Sequence, residues 1–226
     1  KPVPCGMVRV ATAPAVSRRR CAWGRRRCGA AGKAAEPSQW ESEGFPIVVV
    51  RIHPGSSDAM LRRPLWWVAR SPSAMHLWFL ADETFDREGE KLRSRLGRIS
   101  NEFDKDIEFS VFWYQQDAMT SQFPTLLDIR AALPNRQDVR DCFTLPGPKS
   151  LAWCFHVESL LLWWCSLAGK SKPKYVWVVE DDAGFSGNIV DFLSAYEDEN
   201  ADLIAHDFQP ADPTWVWYDA ISVAFH

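Results

Sequence analysis

Short apolar runs alternate with amphipathic stretches along most of this chain. Ile47 to His53 (IVVVRIH) is an unbroken apolar run, the pattern of a strand covered on both faces, and Pro54-Gly55 ends it. Residues 58 to 70 read as helical in part, with Pro64 as a break. Met75 to Ala81 (MHLWFLA) is a second strand, closed by Asp82-Glu83. Thr84 is placed to cap a helix reaching about Ser100, with Phe85, Leu92, Leu96 and Ile99 as its apolar stripe. Ile107 to Tyr114 is a third strand. Residues 115 to 149, with four prolines, are loop-rich, and a short helix is expected near 124 to 132. Ser150 caps a long helix over 151 to 168, expected to be buried and stopped by Gly169 and Pro173. Tyr175 to Val179 (YVWVV) is a fourth strand that runs straight into Glu180-Asp181-Asp182. Asn188 caps a helix with Ile189, Phe192, Leu193 and Tyr196 on one face, and Ala201 to Ala205 is a fifth strand.

Strand and helix in alternation predict βαβ units: an α/β, Rossmann-like, mostly parallel sheet with helices on both faces. Ligands of such sheets bind at the carboxyl ends of the strands. That rule selects His53, Asp82, Gln115 and Glu180 to Asp182 as a possible rim.

Charge divides the chain. Residues 1 to 44 carry nine Lys or Arg against three Glu, a net of +6; the remainder carries 17 basic and 26 acidic residues, a net of −9. The segment 1–44 therefore reads as a disordered basic tail or a targeting segment, and 45–226 as the folded domain. An acidic body argues against nucleic acid as the main partner. The longest apolar stretch, Leu151 to Ala168, is interrupted by His156, Glu158 and Ser159, so no membrane span is expected within the chain. The chain opens on Lys1 and stops at His226 just after an apolar run, so it is expected to be a fragment truncated at its C-terminus. No CxxC pair occurs among the six cysteines, which speaks against a zinc site; Cys154 and Cys165 read as buried thiols. GxGxxG, GxxxxGK[ST], GxSxG and HExxH are all lacking from the sequence.

The chemistry-bearing signal is the acidic triplet. Adjacent carboxylates repel one another and lose solvation near a core. A hard divalent cation, Mg²⁺ or Mn²⁺, offsets both costs and readily shares coordination with substrate phosphates. A metal bridging a diphosphate would stabilise the charge on a departing nucleotide. Lys149, just before a helix start, is a diphosphate candidate, although a surface lysine is the commoner case. His156, on an apolar helix, reads as a satisfied core histidine, with a place facing the diphosphate as the alternative. The Trp66-Trp67 and Trp163-Trp164 pairs read mostly as core. Trp215, Trp217 and Tyr218 fit packing better than sugar stacking.

The segment Ser150 to Tyr196 resembles glycosyltransferases of the GT-A fold, and most of all N-acetylglucosaminyltransferase I-like enzymes with their Glu-Asp-Asp version of the metal-binding DxD motif. The resemblance rests on Leu151-Ala152-Trp153-Cys154-Phe155-His156, the strand Lys174 to Val179, and Glu180-Asp181-Asp182. It covers about 50 residues. It implies a nucleoside diphosphate sugar, in the first place a UDP-sugar, as donor and a glycan or protein as acceptor. It further implies Mn²⁺ or Mg²⁺ on Asp182, with Glu180 and Asp181 meeting the ribose or the metal's waters. By topology alone, Asp82 would meet the uracil, and Arg51 or His53 the base or ribose. An inverting enzyme would need a base beyond the fifth strand; Asp207, Asp212 and Asp219 are available, or the base lies past His226. The compartment would be the Golgi or another secretory lumen if the whole protein is anchored, otherwise a plastid or the cytoplasm. Two rivals stand: a transferase-like domain that binds without turnover, and another Mg²⁺-dependent phosphate-handling α/β enzyme. The second lacks its usual nucleophilic Asp after the first strand, where Ile52-His53-Pro54 stands.

Overall fold

The computed structural model describes residues 7–11, 46–71, 75–84, 89–103, 107–132, 156–167, 175–205 and 213. Six strands form one sheet: β1 (Met7–Ala11), β2 (Ile47–Ile52), β3 (His76–Asp82), β4 (Phe109–Tyr114), β5 (Tyr175–Val179) and β6 (Leu203–Ala205). Their order is β4-β3-β2-β5-β1-β6. The first four are parallel, and β1 runs antiparallel to both β5 and β6. The helices are α1 (Asp58–Arg70), α2 (Gly89–Ser100), α3 (Gln116–Gln122), α4 (Thr125–Ala132), α5 (His156–Ser166) and α6 (Ile189–Ser194). The protein is thus α/β, with a four-stranded parallel sheet flanked by helices and compatible with a Rossmann-like fold.

The period of two along β2 sorts its side chains between two cores. Val48, Val50 and Ile52 join Leu61, Leu65 and Trp67 of α1, Leu92 and Ile99 of α2, and Ile189 and Leu193 of α6. Ile47 and Val49 join Met119 of α3, Leu126 of α4 and Trp163 of α5. An unbroken apolar run is what a strand covered on both sides requires, and all six residues of β2 are buried.

Several elements depart from the sequence reading. Met7–Ala11, inside the basic segment 1–44, forms a strand between β5 and β6; its β-branched valines favour extended backbone, but nothing local announces the partner edge. Residues 58–70 form one helix that runs through Pro64. Its Ser57 capping box, and a face with Leu61, Leu65, Trp67 and Val68 buried, offset the hydrogen bond that Pro64 removes. The Thr84 amide and hydroxyl both donate to Asp82, and the same hydroxyl accepts from the Gln116 amide; residues 85–88, which a Thr84 cap would serve, lie outside the described residues. Helix α3 occupies part of the stretch expected to be loop. Among the described residues of the 151–168 stretch, α5 is covered on one side only. Ser159 and Trp163 are buried, whereas Val157 is 62% exposed and Leu161 and Cys165 also face out. Trp66 is exposed beneath the Arg70 guanidinium, 3.6 Å from its ring centre, while Trp67 is core. Phe85, Cys154, Trp215, Trp217 and Tyr218 lie outside the described residues, and no helix among those described is long and apolar enough to cross a membrane.

Candidate functional site

Counted from β2, the parallel strands read 3-2-1-4, so the strand order reverses between β2 and β5. At such a switch point the connections leave in opposite directions and open a crevice at the carboxyl ends. Here that crevice is framed by the His53–Ser57 turn after β2 and by Glu180-Asp181-Asp182 after β5. The register places Val50 beside Val179, three residues before His53 and one before Glu180.

The triplet does not behave as three equivalent carboxylates. Arg51 is fully buried, and its Nη1 lies 3.4 Å from Glu180 Oε1. A buried guanidinium without a counter-charge costs several kcal/mol, on the order of what a whole helix face contributes, so Glu180 balances Arg51 as much as the reverse. His156, at the start of α5, brings Nδ1 to 2.6 Å from the same oxygen. Burial opposes the Glu180 charge, but the His156 hydrogen bond and the Arg51 charge outweigh it and hold the carboxyl below its ordinary value.

Asp181 is buried and turned toward β2. Its Oδ2 accepts from Ser56 Oγ at 2.5 Å, and His53 Nε2 stands 3.6 Å away. The Gly55 amide donates to His53 Nδ1, which leaves the ring proton on Nε2, the side of Asp181. The His53 amide in turn donates to Ser56 Oγ. The turn after β2 is therefore closed on itself and stitched to β5.

Asp182 differs from both. Its side chain is exposed, and among the described residues its carboxylate has no hydrogen bond or ion pair. Its carbonyl oxygen and that of Ala183 accept from Arg63 Nη1 on α1, at 2.9 and 2.5 Å.

Two polar residues complete the surroundings of Arg51. The Tyr114 hydroxyl is buried among Arg51, Asp82 and Ser159; burial foremost, with the Asp82 charge and against that of Arg51, pushes it up to about 12 and keeps it neutral. Asp82, 1% exposed, spends Oδ1 on the Thr84 amide and hydroxyl, closing the turn after β3.

Two of the three acids have protein partners. Arg51 and His156 meet Glu180, and Ser56 and His53 meet Asp181. Among the described residues no three His, Cys, Asp or Glu groups are arranged to hold a metal. Glu180 Oε1 is engaged twice, by Arg51 and by His156. Asp182 fits a single-carboxylate attachment, the mode in which Mg²⁺-like ions keep their waters and take substrate phosphates. Of the other expected residues, Arg51 and His53 are brought to the triplet and Asp82 to the adjoining strand end. Lys149, Asp207, Asp212 and Asp219 lie outside the described residues. Sequence reasoning missed Ser56, Arg63, Tyr114 and Ser159, and held His156 to be core. Only Ser56, directly after a Pro-Gly turn at a strand end, carried a local signal. No protein-family model, no curated protein and no solved structure matches the chain.

Proposed function

We propose that this chain is a nucleotide-sugar transferase domain of GT-A type. It would move a sugar from a nucleoside diphosphate, in the first place UDP, to a hydroxyl of a glycan or protein. One observation carries the reading: the switch-point crevice is bordered by an acidic triplet in which two acids are tied to the protein and the third, Asp182, is left at the rim. The sequence resemblance assigns the metal to that same third position.

In this reading Asp182 would hold Mn²⁺ or Mg²⁺, and the ion would supply positive charge against the departing nucleoside diphosphate. The chain's own part is positional. Arg51 and His156 keep Glu180 ionised and fixed. Ser56 and His53 fix Asp181, so the backbone enters residue 182 in one conformation. Transfer breaks the bond from the sugar's anomeric carbon to the diphosphate oxygen and forms one to the acceptor oxygen, whose proton leaves to a base or to solvent.

Calorimetry with UDP in saturating Mn²⁺ tests the reading. Binding that needs Mn²⁺ and is lost in Asp182→Ala, with unchanged thermal unfolding, supports it. A folded wild-type chain that takes no UDP refutes it. A sugar-transfer assay on the whole protein then separates an enzyme from a binding domain.

A further inference from the structure

We infer that Arg63 is a positioning residue for Asp182, an assignment that rests on the transferase reading above. Arg63 lies on α1, two turns past the Ser57 cap, and reaches across 119 residues of sequence to the main chain of the triplet. One nitrogen, Nη1, takes both the Asp182 and Ala183 carbonyls. The guanidinium also covers Gly184, where an added Cβ would sit 3.6 Å from its carbon. These contacts orient the backbone that carries Asp182 and leave the carboxylate itself untouched. The preceding residue, Asp181, is held from the other side by Ser56. The segment leaving β5 is thus gripped at two successive residues, both times from the β2–α1 unit. The neighbouring arginine has a different duty: Arg62 pairs with Glu102 on the outer surface.

Arg63 acts through Asp182, so its removal lowers the metal-dependent part of nucleotide affinity. Second-sphere losses of this kind run about 10- to 100-fold in metal affinity. The test is a double-mutant cycle. UDP binding is measured by calorimetry with and without Mn²⁺, and bound Mn²⁺ by its electron-spin resonance, in wild type, Arg63→Ala, Arg63→Lys, Asp182→Ala and the Arg63→Ala/Asp182→Ala double variant, with Arg62→Ala as control. The expected result is about tenfold weaker Mn²⁺-dependent binding in Arg63→Ala and partial recovery in Arg63→Lys. Arg62→Ala is expected to leave binding unchanged, and Arg63→Ala to add no loss once Asp182 is gone. Wild-type-like binding by Arg63→Ala, or equal losses with and without Asp182, overturns the assignment. Absence of Mn²⁺–UDP binding by wild type overturns the transferase reading itself. If Arg63→Ala unfolds, Arg63→Lys and Arg63→Gln carry the same comparison.

Discussion

The two faces of the sheet are built on different principles. Toward α1, α2 and α6 the strand and helix side chains form an apolar core, with the buried Ser56–Asp181 pair at its carboxyl-end rim. Arg95 and Arg98 of α2 share Asp58 of α1, and Arg62 meets Glu102, so charge ties the helices together outside the core. Toward α3, α4 and α5 the core admits Arg51, Tyr114 and Ser159, and the helices cover less: Leu127, Val157 and Leu161 stay exposed. One face spends its burial on stability. The other accepts a buried charge, which is costly unless paired, and places that charge against the triplet. Buried cations with dedicated partners at a strand end mark where a fold gives up stability for position.

That contrast can be broken at three points. Arg51→Met should cost the most, about 3 to 5 kcal/mol, because it strands the partly buried Glu180 carboxylate. Adding Glu180→Gln should return part of the loss, read by urea unfolding. A single Arg51→Met that unfolds like wild type would erase the distinction between the faces.

His76 gives an intermediate effect on the same face. It stacks edge-on against Trp78, which packs on Trp163, and burial pushes its pKa down from 6.5 to about 4. The unfolded chain takes up a proton near pH 6.5 while the folded chain resists until about 4, so stability is full above 6.5, falls between those values and is level below. Its share is about 2 kcal/mol once partial exposure is discounted. Unfolding followed from pH 7 to pH 4 should show the decline, and His76→Gln should flatten it.

The smallest effect belongs to the outward side of α5. Val157→Ser and Leu161→Ser should each move stability by no more than about 0.5 kcal/mol, as for ordinary surface positions. A loss of several kcal/mol in chemical unfolding would mean that these side chains are covered after all.

Much of the parallel half of the sheet was legible from pattern. The runs at 47–53, 75–81, 107–114 and 175–179 became β2 to β5 because a doubly covered strand must be apolar at successive positions. The α5 helix misled for a related reason. His156 to Ser166 is apolar nearly all round, the mark of a buried helix, yet only the side bearing Ser159 and Trp163 found cover. Cys165, read as a buried thiol, is exposed on the other side. Pro64 misled in the opposite sense: a residue that breaks isolated helices was carried by a face with four other buried side chains. The acidic triplet itself was plain, as was its place at a strand end.

By itself the sequence determined the βαβ rhythm, the doubly buried strands and the presence of three acids where a strand leaves the core, since each follows from the spacing of neighbouring residues. Only the tertiary structure decided how those acids divide. Arg51 and Glu180 are 129 positions apart, Ser56 and Asp181 125, and Arg63 and Asp182 119. Such pairings depend on which strands lie side by side, and so does the insertion of Met7–Ala11 beside β5. Strand order is a property of the whole packed chain, in which every apolar face competes for cover, and no short stretch of residues encodes it.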